Sequence, residues 1–173
     1  ILIPILLLIA RNGMAQHDTL TLPFSALTIE DGLSQGMVTG LTQDSSGFMW
    51  FATKDGLNRY DGYHITVFRN DPKDSLSLSD NYVSVVQYAP DGRLWVGTAS
   101  KGVQVFDPTS ETFSNRSLGP EGENSFVRDI AFGPRGVVWV ATSAGLYKLT
   151  PRHDPRDPAE YNAIQVLDGQ CSI

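Results

Sequence analysis

Short apolar runs bounded by Gly, Pro and Asp recur along this chain, and three carry a tryptophan: FMWFAT (48–53), RLWVGT (93–98) and VVWVAT (137–142). Trp50, Trp95 and Trp139 lie 45 and 44 residues apart. Gly47, Gly92 and Gly136 precede them at constant offset, and Ala52, Gly97 or Ala141 and then Thr53, Thr98 or Thr142 follow. Val38, Val83 and Val127 form an upstream column, as do Leu41, Val86 and Ile130. Gly56, Gly102 and Gly145 align downstream, with one extra residue in the middle copy. A period of about 20–50 residues is the mark of a repeat architecture. Three tandem repeats are present.

Each repeat resolves into four strands. The first (residues 82–88, for instance) ends in a turn: Asp44-Ser45-Ser46-Gly47, Pro90-Asp91-Gly92 or Pro134-Arg135-Gly136. The second carries the Trp; the third is LNRY (57–60), VQVF (103–106) or LYKL (146–149); the fourth surrounds a Phe, as in YHITVF (63–68). Asp61-Gly62 between the last two predicts a type I′ hairpin, which needs positive φ at both central positions. Adjacent apolar residues at Val85-Val86 and Leu94-Trp95-Val96 require burial of both sheet faces, which radial stacking provides and a solvent-facing sheet does not. The pattern therefore predicts an all-β chain of β-propeller blades, each of four antiparallel strands, with repeats at about 37–70, 82–115 and 126–167. The Ala or Gly after each Trp then stands where blades converge, and the Trp is an inter-blade wedge.

Phe24, Phe68 and Phe113 form a further column, so residues 24–29 read as a fourth strand preceding any first strand. Such a strand is expected to close the ring by pairing with a later blade. Propellers use about 4–8 blades, so three blades imply an incomplete propeller, the N-terminal part of a longer protein. The loop 151–160, with Pro151, Pro155, Pro158 and five charged residues, is an insertion leading to a fourth strand over 161–167.

Residues 1–10, ILIPILLLIA, are too short to span a bilayer and match the apolar stretch of a signal peptide. Gly13 and Ala15 place small residues before a cut ahead of Gln16. Residues 1–15 are thus expected to be a signal peptide truncated at its start, and 16–173 the exported propeller part.

Composition narrows the chemistry. Hydrophobic residues at 41% and charged residues at 18% exclude disorder and coiled coil. The net charge of -6 argues against nucleic acid, which selects a basic face. Cys171 is alone, so neither an internal disulfide nor a cysteine metal cluster is available. His17, His64 and His153 match no metal-ligand spacing, and His64 reads as a half-exposed strand residue. Asp44 and Asp91 invite a calcium reading, but Asp and Gly also make turns, and Arg135 stands beside Gly136 in the third copy. Asn115-Arg116-Ser117 is a glycosylation sequon that matters only in a eukaryote, and DPKD (71–74) is a solvated loop. No catalytic, cofactor-binding or metal-binding residue is assigned, and no cofactor is expected. Binding residues stay unassigned; loops such as Lys54-Asp55 and Ser100-Lys101 could touch a ligand or a partner.

The segment GLSQGMVTGLTQDSSGFMWFATKDGLNRYDGYHITVFRNDPKDSLSLSDNYV (32–83) resembles the two-component regulator propeller repeat, and DGRLWVGTASKGVQVFDPTSETF (91–113) resembles it too. The third copy is looser, with Pro134-Arg135-Gly136 where the family prefers an acidic turn. The resemblance implies the exported sensor half of a bacterial, often hybrid, sensor histidine kinase. It also implies two seven-bladed propellers, a β-sandwich module, a membrane helix and cytoplasmic kinase and regulator domains. The parent would be an inner-membrane-anchored homodimer feeding a phosphorelay, and many members sense oligosaccharides. Catalysis is not expected within these residues. A propeller lyase or hydrolase is the alternative that the fold permits, but it needs convergent His and carboxylates on several blades. A passive interaction scaffold of the WD-repeat kind lacks its Gly-His and Trp-Asp pattern here.

Trp95→Ala is expected to cost about 3–5 kcal/mol of stability through loss of core, measured by urea denaturation. An unchanged melting curve with a lost ligand response would move Trp95 from the core to a binding surface.

Overall fold

The computed structural model describes residues 25–120, 122–151 and 161–168. The expected leader, Phe24, His17, His153, Cys171 and the loop 152–160 lie outside the described residues.

Twelve strands form three separate four-stranded antiparallel sheets. Blade 1 comprises β1 (Val38–Gln43), β2 (Met49–Thr53), β3 (Gly56–Tyr60) and β4 (Ile65–Phe68). Blade 2 comprises β5 (Val83–Tyr88), β6 (Leu94–Thr98), β7 (Val103–Asp107) and β8 (Thr112–Arg116). Blade 3 comprises β9 (Val127–Phe132), β10 (Val138–Thr142), β11 (Gly145–Pro151) and β12 (Tyr161–Asp168). In each sheet the strands pair in chain order. The only helical pieces among the described residues are two three-residue 3-10 turns, Ile29–Asp31 and Pro134–Gly136. The all-β blade architecture expected from the repeat is the one observed, and the three sheets do not close into a ring.

The first strands lie side by side, β1 against β5 and β5 against β9, so they are the innermost. Each carries a β-bulge at the same repeat position, where Thr39, Ser84 and Arg128 have no opposite residue in the ladder. A bulge re-aims its side chain, and here it turns two hydroxyls toward the neighbouring blade. Thr39 Oγ1 donates to the Val83 carbonyl at 2.7 Å, and Ser84 Oγ donates to the Val127 carbonyl at 2.6 Å. Inner strands are thus joined by side chain-to-backbone bonds where no ladder can run.

Two apolar cores form, each at a seam between blades. The first unites Trp50, Ala52 and Leu57 of blade 1 with Val83, Val86, Leu94, Val96, Phe106 and Phe113 of blade 2. The second unites Val85, Trp95, Val103 and Val105 with Val127, Ile130, Val138, Val140, Tyr147 and Leu149. Every residue of β6 is buried, as a strand covered on both faces must be. Trp50 meets Phe106 of the next blade at 5.3 Å between ring centroids, and Trp95 meets Phe132 at 6.2 Å and Tyr161 at 5.4 Å. Trp139 is only half-buried, because its outward face meets no further blade among the described residues.

Residues 25–28 join none of the three sheets and lead into the turn Ile29–Asp31; the partner expected for a closing strand over 24–29 is a later blade, outside these sheets. A Thr28–Asp31 capping box holds that turn, and the two hydrogen bonds from Thr28 hold the Asp31 carboxyl below the usual carboxylate range. The Asp61-Gly62 connection is not a two-residue type I′ turn. Residues 61–64 form the loop between the paired Tyr60 and Ile65, and only Gly62 has positive φ. Asp61 Oδ1 accepts the amides of Tyr63 and His64 at 2.8 and 2.6 Å, so this side chain replaces the tighter turn. His64 accordingly sits in the loop, exposed, rather than in a strand.

The small residue after the Trp is required by blade convergence. A Cβ on Gly97 would lie 2.6 Å from Val85 Cγ1 and from Val127 Cγ1 across the seam. Gly97→Ala should therefore destabilise the protein by about 1–3 kcal/mol through overpacking, seen as a lower urea midpoint at unchanged slope.

Candidate functional site

In a meander blade, the turns between first and second and between third and fourth strands share one end. The second-to-third turns and the blade-to-blade loops share the other. The opposite ends of this array differ in chemistry.

At the blade-to-blade end the Thr column closes the second-to-third turn in every copy. Thr53, Thr98 and Thr142 each donate through Oγ1 to the carbonyl of Gly56, Gly102 or Gly145 at 3.0 Å. The same hydroxyls accept the amides of Asp55, Lys101 and Ala144. Above these turns, the incoming loop of blades 1 and 2 is latched by a buried amide. Leu33 and Leu78 insert into the interior, and the next residue donates its backbone N–H to a third-strand side chain. Ser34 N donates to Asn58 Oδ1 at 2.9 Å, and Ser79 N to Gln104 Oε1 at 2.8 Å. A buried polar side chain in a strand needs such a partner. The signal was in plain view, since Leu33-Ser34 and Leu78-Ser79 are 45 residues apart. A loop position without hydrophobic periodicity gave no reason to single it out.

The loops flagged from sequence lie at this end, each tied down. Lys54 Nζ sits 5.2 Å from the Tyr82 ring, and Asp55 pairs with Arg69 at 2.9 Å. Ser100 binds Asp80 Oδ2 through its amide at 3.0 Å and its hydroxyl at 2.7 Å.

The other end holds the turns with Asp44 and Asp91. Asp44 is a turn residue: its Oδ1 accepts the amides of Ser46 and Phe48, and its Oδ2 accepts Trp50 Nε1 at 2.8 Å. Asp91 Oδ1 accepts the amide of Arg93 at 3.1 Å. No group of three or more potential metal ligands occurs among the described residues. In the third turn Arg135 takes a left-handed conformation, φ 59° and ψ 30°, which a non-Gly residue seldom adopts.

The two seams part company at this end. Between blades 1 and 2, Ser45 Oγ and Tyr88 OH lie 2.8 Å apart and tie the turns together. Arg59 fills the volume beneath, over the rings of Phe48, Trp50 and Phe68, and reaches Glu111 of blade 2 at 2.8 Å. Between blades 2 and 3 the corresponding residues are Pro90, Phe132 and Val105, which can form neither the bond nor the cation stack. A pocket of about 430 Å3 results, walled by Pro90, Trp95, Phe132, Val138 and Tyr161, with Asp91 and Arg135 at its polar edge. Burial, with Asp91 nearby, pushes the Tyr161 phenol above its ordinary value, disfavouring the charged phenolate in the pocket. Such a pocket can hold a ligand with a flat apolar face and polar groups around its edge.

Comparison with known proteins agrees with the blades. The two component regulator propeller family matches residues 32–55 and 77–100. Histidine kinase P4 of Formosa agariphila is 46% identical over 56 residues, which is 32% of this chain and 4% of that protein. The extracellular domain of a protein described as a hybrid two component system of B. thetaiotaomicron superposes with TM-score 0.69 at 26% identity, covering 82% of this chain and 20% of that one. A second extracellular domain from that bacterium, described as a one component system, gives TM-score 0.64 at 20% identity over 84% of this chain and 18% of its own, a likeness of fold. The chain thus spans a fifth or less of the length of these proteins.

The latch is open to test. Asn58→Ala strands the Ser34 amide in the interior and should cost about 1–3 kcal/mol. The amide of Ser34 should then exchange faster with solvent deuterium.

Proposed function

Residues 32–55 and 77–100 being two component regulator propeller repeats, we propose that this chain is part of the extracytoplasmic ligand-sensing propeller of a two-component sensor kinase. The observation that carries this reading is the likeness over 82% of the chain, at TM-score 0.69 and 26% identity, to the extracellular domain of a hybrid two component system. In this reading residues 1–15 direct export, other parts of the polypeptide anchor it in the inner membrane and run the phosphorelay, and the sensor works as a homodimer. The propeller itself performs no chemistry. A ligand controls such a sensor only through different affinities for two arrangements of it, and a pocket whose walls come from two adjacent blades suits that role.

The ligand we propose is an oligosaccharide. The rings of Phe132 and Tyr161 offer faces and edges to a pyranose, with Trp95 packed behind them, while Asp91 and Arg135 offer polar contacts to its hydroxyl groups. Calorimetric titration of the full-length sensor with digests of starch, xylan and pectin tests the reading. One digest should bind, and Phe132→Ala should weaken it by about tenfold or more, which corresponds to ~1.4 kcal/mol. Equal binding by wild type and variant would remove the pocket from the ligand site. A polypeptide with no kinase region would overturn the assignment to a sensor kinase.

A further inference from the structure

The pocket between blades 2 and 3 carries a feature that a neutral sugar does not require: the conformation and charge of Arg135. We propose that the pocket selects an acidic oligosaccharide, with the Arg135 guanidinium holding the carboxylate of a uronate unit; this rests on the reading of the pocket as the oligosaccharide site and narrows it.

Strain marks the turn that carries this arginine. The turns between first and second strands have one length in all three blades, closed by Asp44 N to the Phe48 carbonyl, Ala89 N to the Arg93 carbonyl and Gly133 N to the Val137 carbonyl. Inside the first two, Gly47 N donates to the Asp44 carbonyl and Gly92 N to the Ala89 carbonyl. In blade 3 the inner bond moves one residue along, from Val137 N to the Pro134 carbonyl at 3.3 Å. The shift puts both Arg135 (φ 59°) and Gly136 (φ 75°) at positive φ, whereas in the other two turns only the Gly is. Pro90-Asp91-Gly92 and Pro134-Arg135-Gly136 share their Pro and Gly, so the relaxed turn is open to both sequences. A Cβ makes the left-handed region unfavourable, and turns that need it take Gly, Asn or Asp. An arginine there is a local cost that the turn alone does not explain, and such outliers gather where a ligand is held.

The charge of Arg135 is also unspent. Among the residues walling the pocket it is the one cation, and Asp91 is the one carboxylate. Asp91 is already matched, with Oδ1 accepting the amide of Arg93 and Oδ2 lying 4.0 Å from Arg93 Nη1. Arg93 also lies 3.9 Å from Asp107, which stands outside the pocket wall. Arg59 and Arg69 pair with carboxylates, Arg116 donates to the Asn115 carbonyl and Arg128 lies over Phe126. Arg135 is exposed and has no such partner among the described residues. A guanidinium offers two parallel N–H bonds to one carboxylate, and at the edge of an apolar pocket that match is specific.

The two halves of the pocket then fit one ligand. A uronate presents a flat apolar ring face to Phe132 and Tyr161 and carries its carboxylate at the ring edge, on the side of Arg135. Its hydroxyl groups donate to Asp91.

Calorimetric titration of the full-length sensor tests the proposal, with oligogalacturonate, oligomannuronate, the methyl ester of each, a neutral xylan digest and a sulfated carrageenan digest. At least one uronate should bind saturably, about tenfold or more tighter than its ester and tighter than the neutral and sulfated digests. Arg135→Gln should bring the uronate to the affinity of its ester and leave the ester unchanged, whereas Phe132→Ala should weaken both. Arg135→Gly, which suits a φ of 59°, should lose the same preference at an unchanged or higher melting temperature. Four results overturn the proposal: uronate and ester bound equally, a neutral or sulfated digest bound as tightly as any uronate, uronate binding unaffected by Arg135→Gln, or a melting temperature lowered by Arg135→Gly. If a neutral digest binds that tightly and Phe132→Ala weakens it, the oligosaccharide site stands and its acidic selectivity falls. If no digest binds, or Phe132→Ala changes nothing, both fall.

Discussion

A sheet apolar on both faces cannot bury itself, and everything in this structure follows from that constraint. The Trp of each blade finds its cover on the next blade: Trp50 against Phe106, Trp95 against Phe132 and Tyr161. The cores are therefore seams, and stability is a property of neighbouring pairs rather than of single blades. The residues next to the Trp obey the same rule. Gly97 has no Cβ because Val127 occupies that space, and the bulged Thr39 and Ser84 bond the inner strand across the seam.

Once the seam is fixed by the repeat, individuality is left to positions where the repeat permits exchange. Ser45, Tyr88 and Arg59 close the first seam at the turn end, while Pro90, Phe132 and Val105 leave the second open. Three substitutions at equivalent positions thus convert a filled junction into an aromatic pocket without disturbing a strand. The partly exposed Arg59–Glu111 pair contributes little to stability by itself; its larger effect is the volume the arginine occupies.

The sequence made the blade legible wherever the determinant was periodic burial. The Trp, Gly and Val columns recur at 44–45 residues because each meets the same neighbour in each copy, and strand order followed from short turns. The Thr column was visible without its reason, since Thr53, Thr98 and Thr142 act on turn backbone and not on the core. Loop chemistry was the least legible. Asp61-Gly62 carries a type I′ signal, yet two amides bound to the Asp61 carboxylate select a longer loop. The aromatic pocket was not foreseen, because its walls are strand residues of two blades together with the turns of Asp91 and Arg135, which only the seam brings together. The aromatic pocket is marked in sequence only by what is missing, a Pro and a Phe where the preceding copy has Ser45 and Tyr88.

The faces at the two ends of the array show the same constraint unsatisfied. On blade 1, Leu41 is 61% exposed and Val38 41%, although the aligned Val86 and Val83 of blade 2 are buried. On blade 3, Lys148 lies over the half-buried Trp139 at 5.5 Å, as Arg59 lies over Trp50 at 5.7 Å. In blade 1 that cation reaches across the seam to an acidic turn, Glu111. Blade 3 therefore presents the donor half of a seam, and blade 1 presents the acceptor half. Because a seam is directional, with the Trp always given to the following blade, the two exposed faces are complementary and not alike. A repeat with this polarity buries its apolar surface only by adding blades in one direction or by meeting its own beginning.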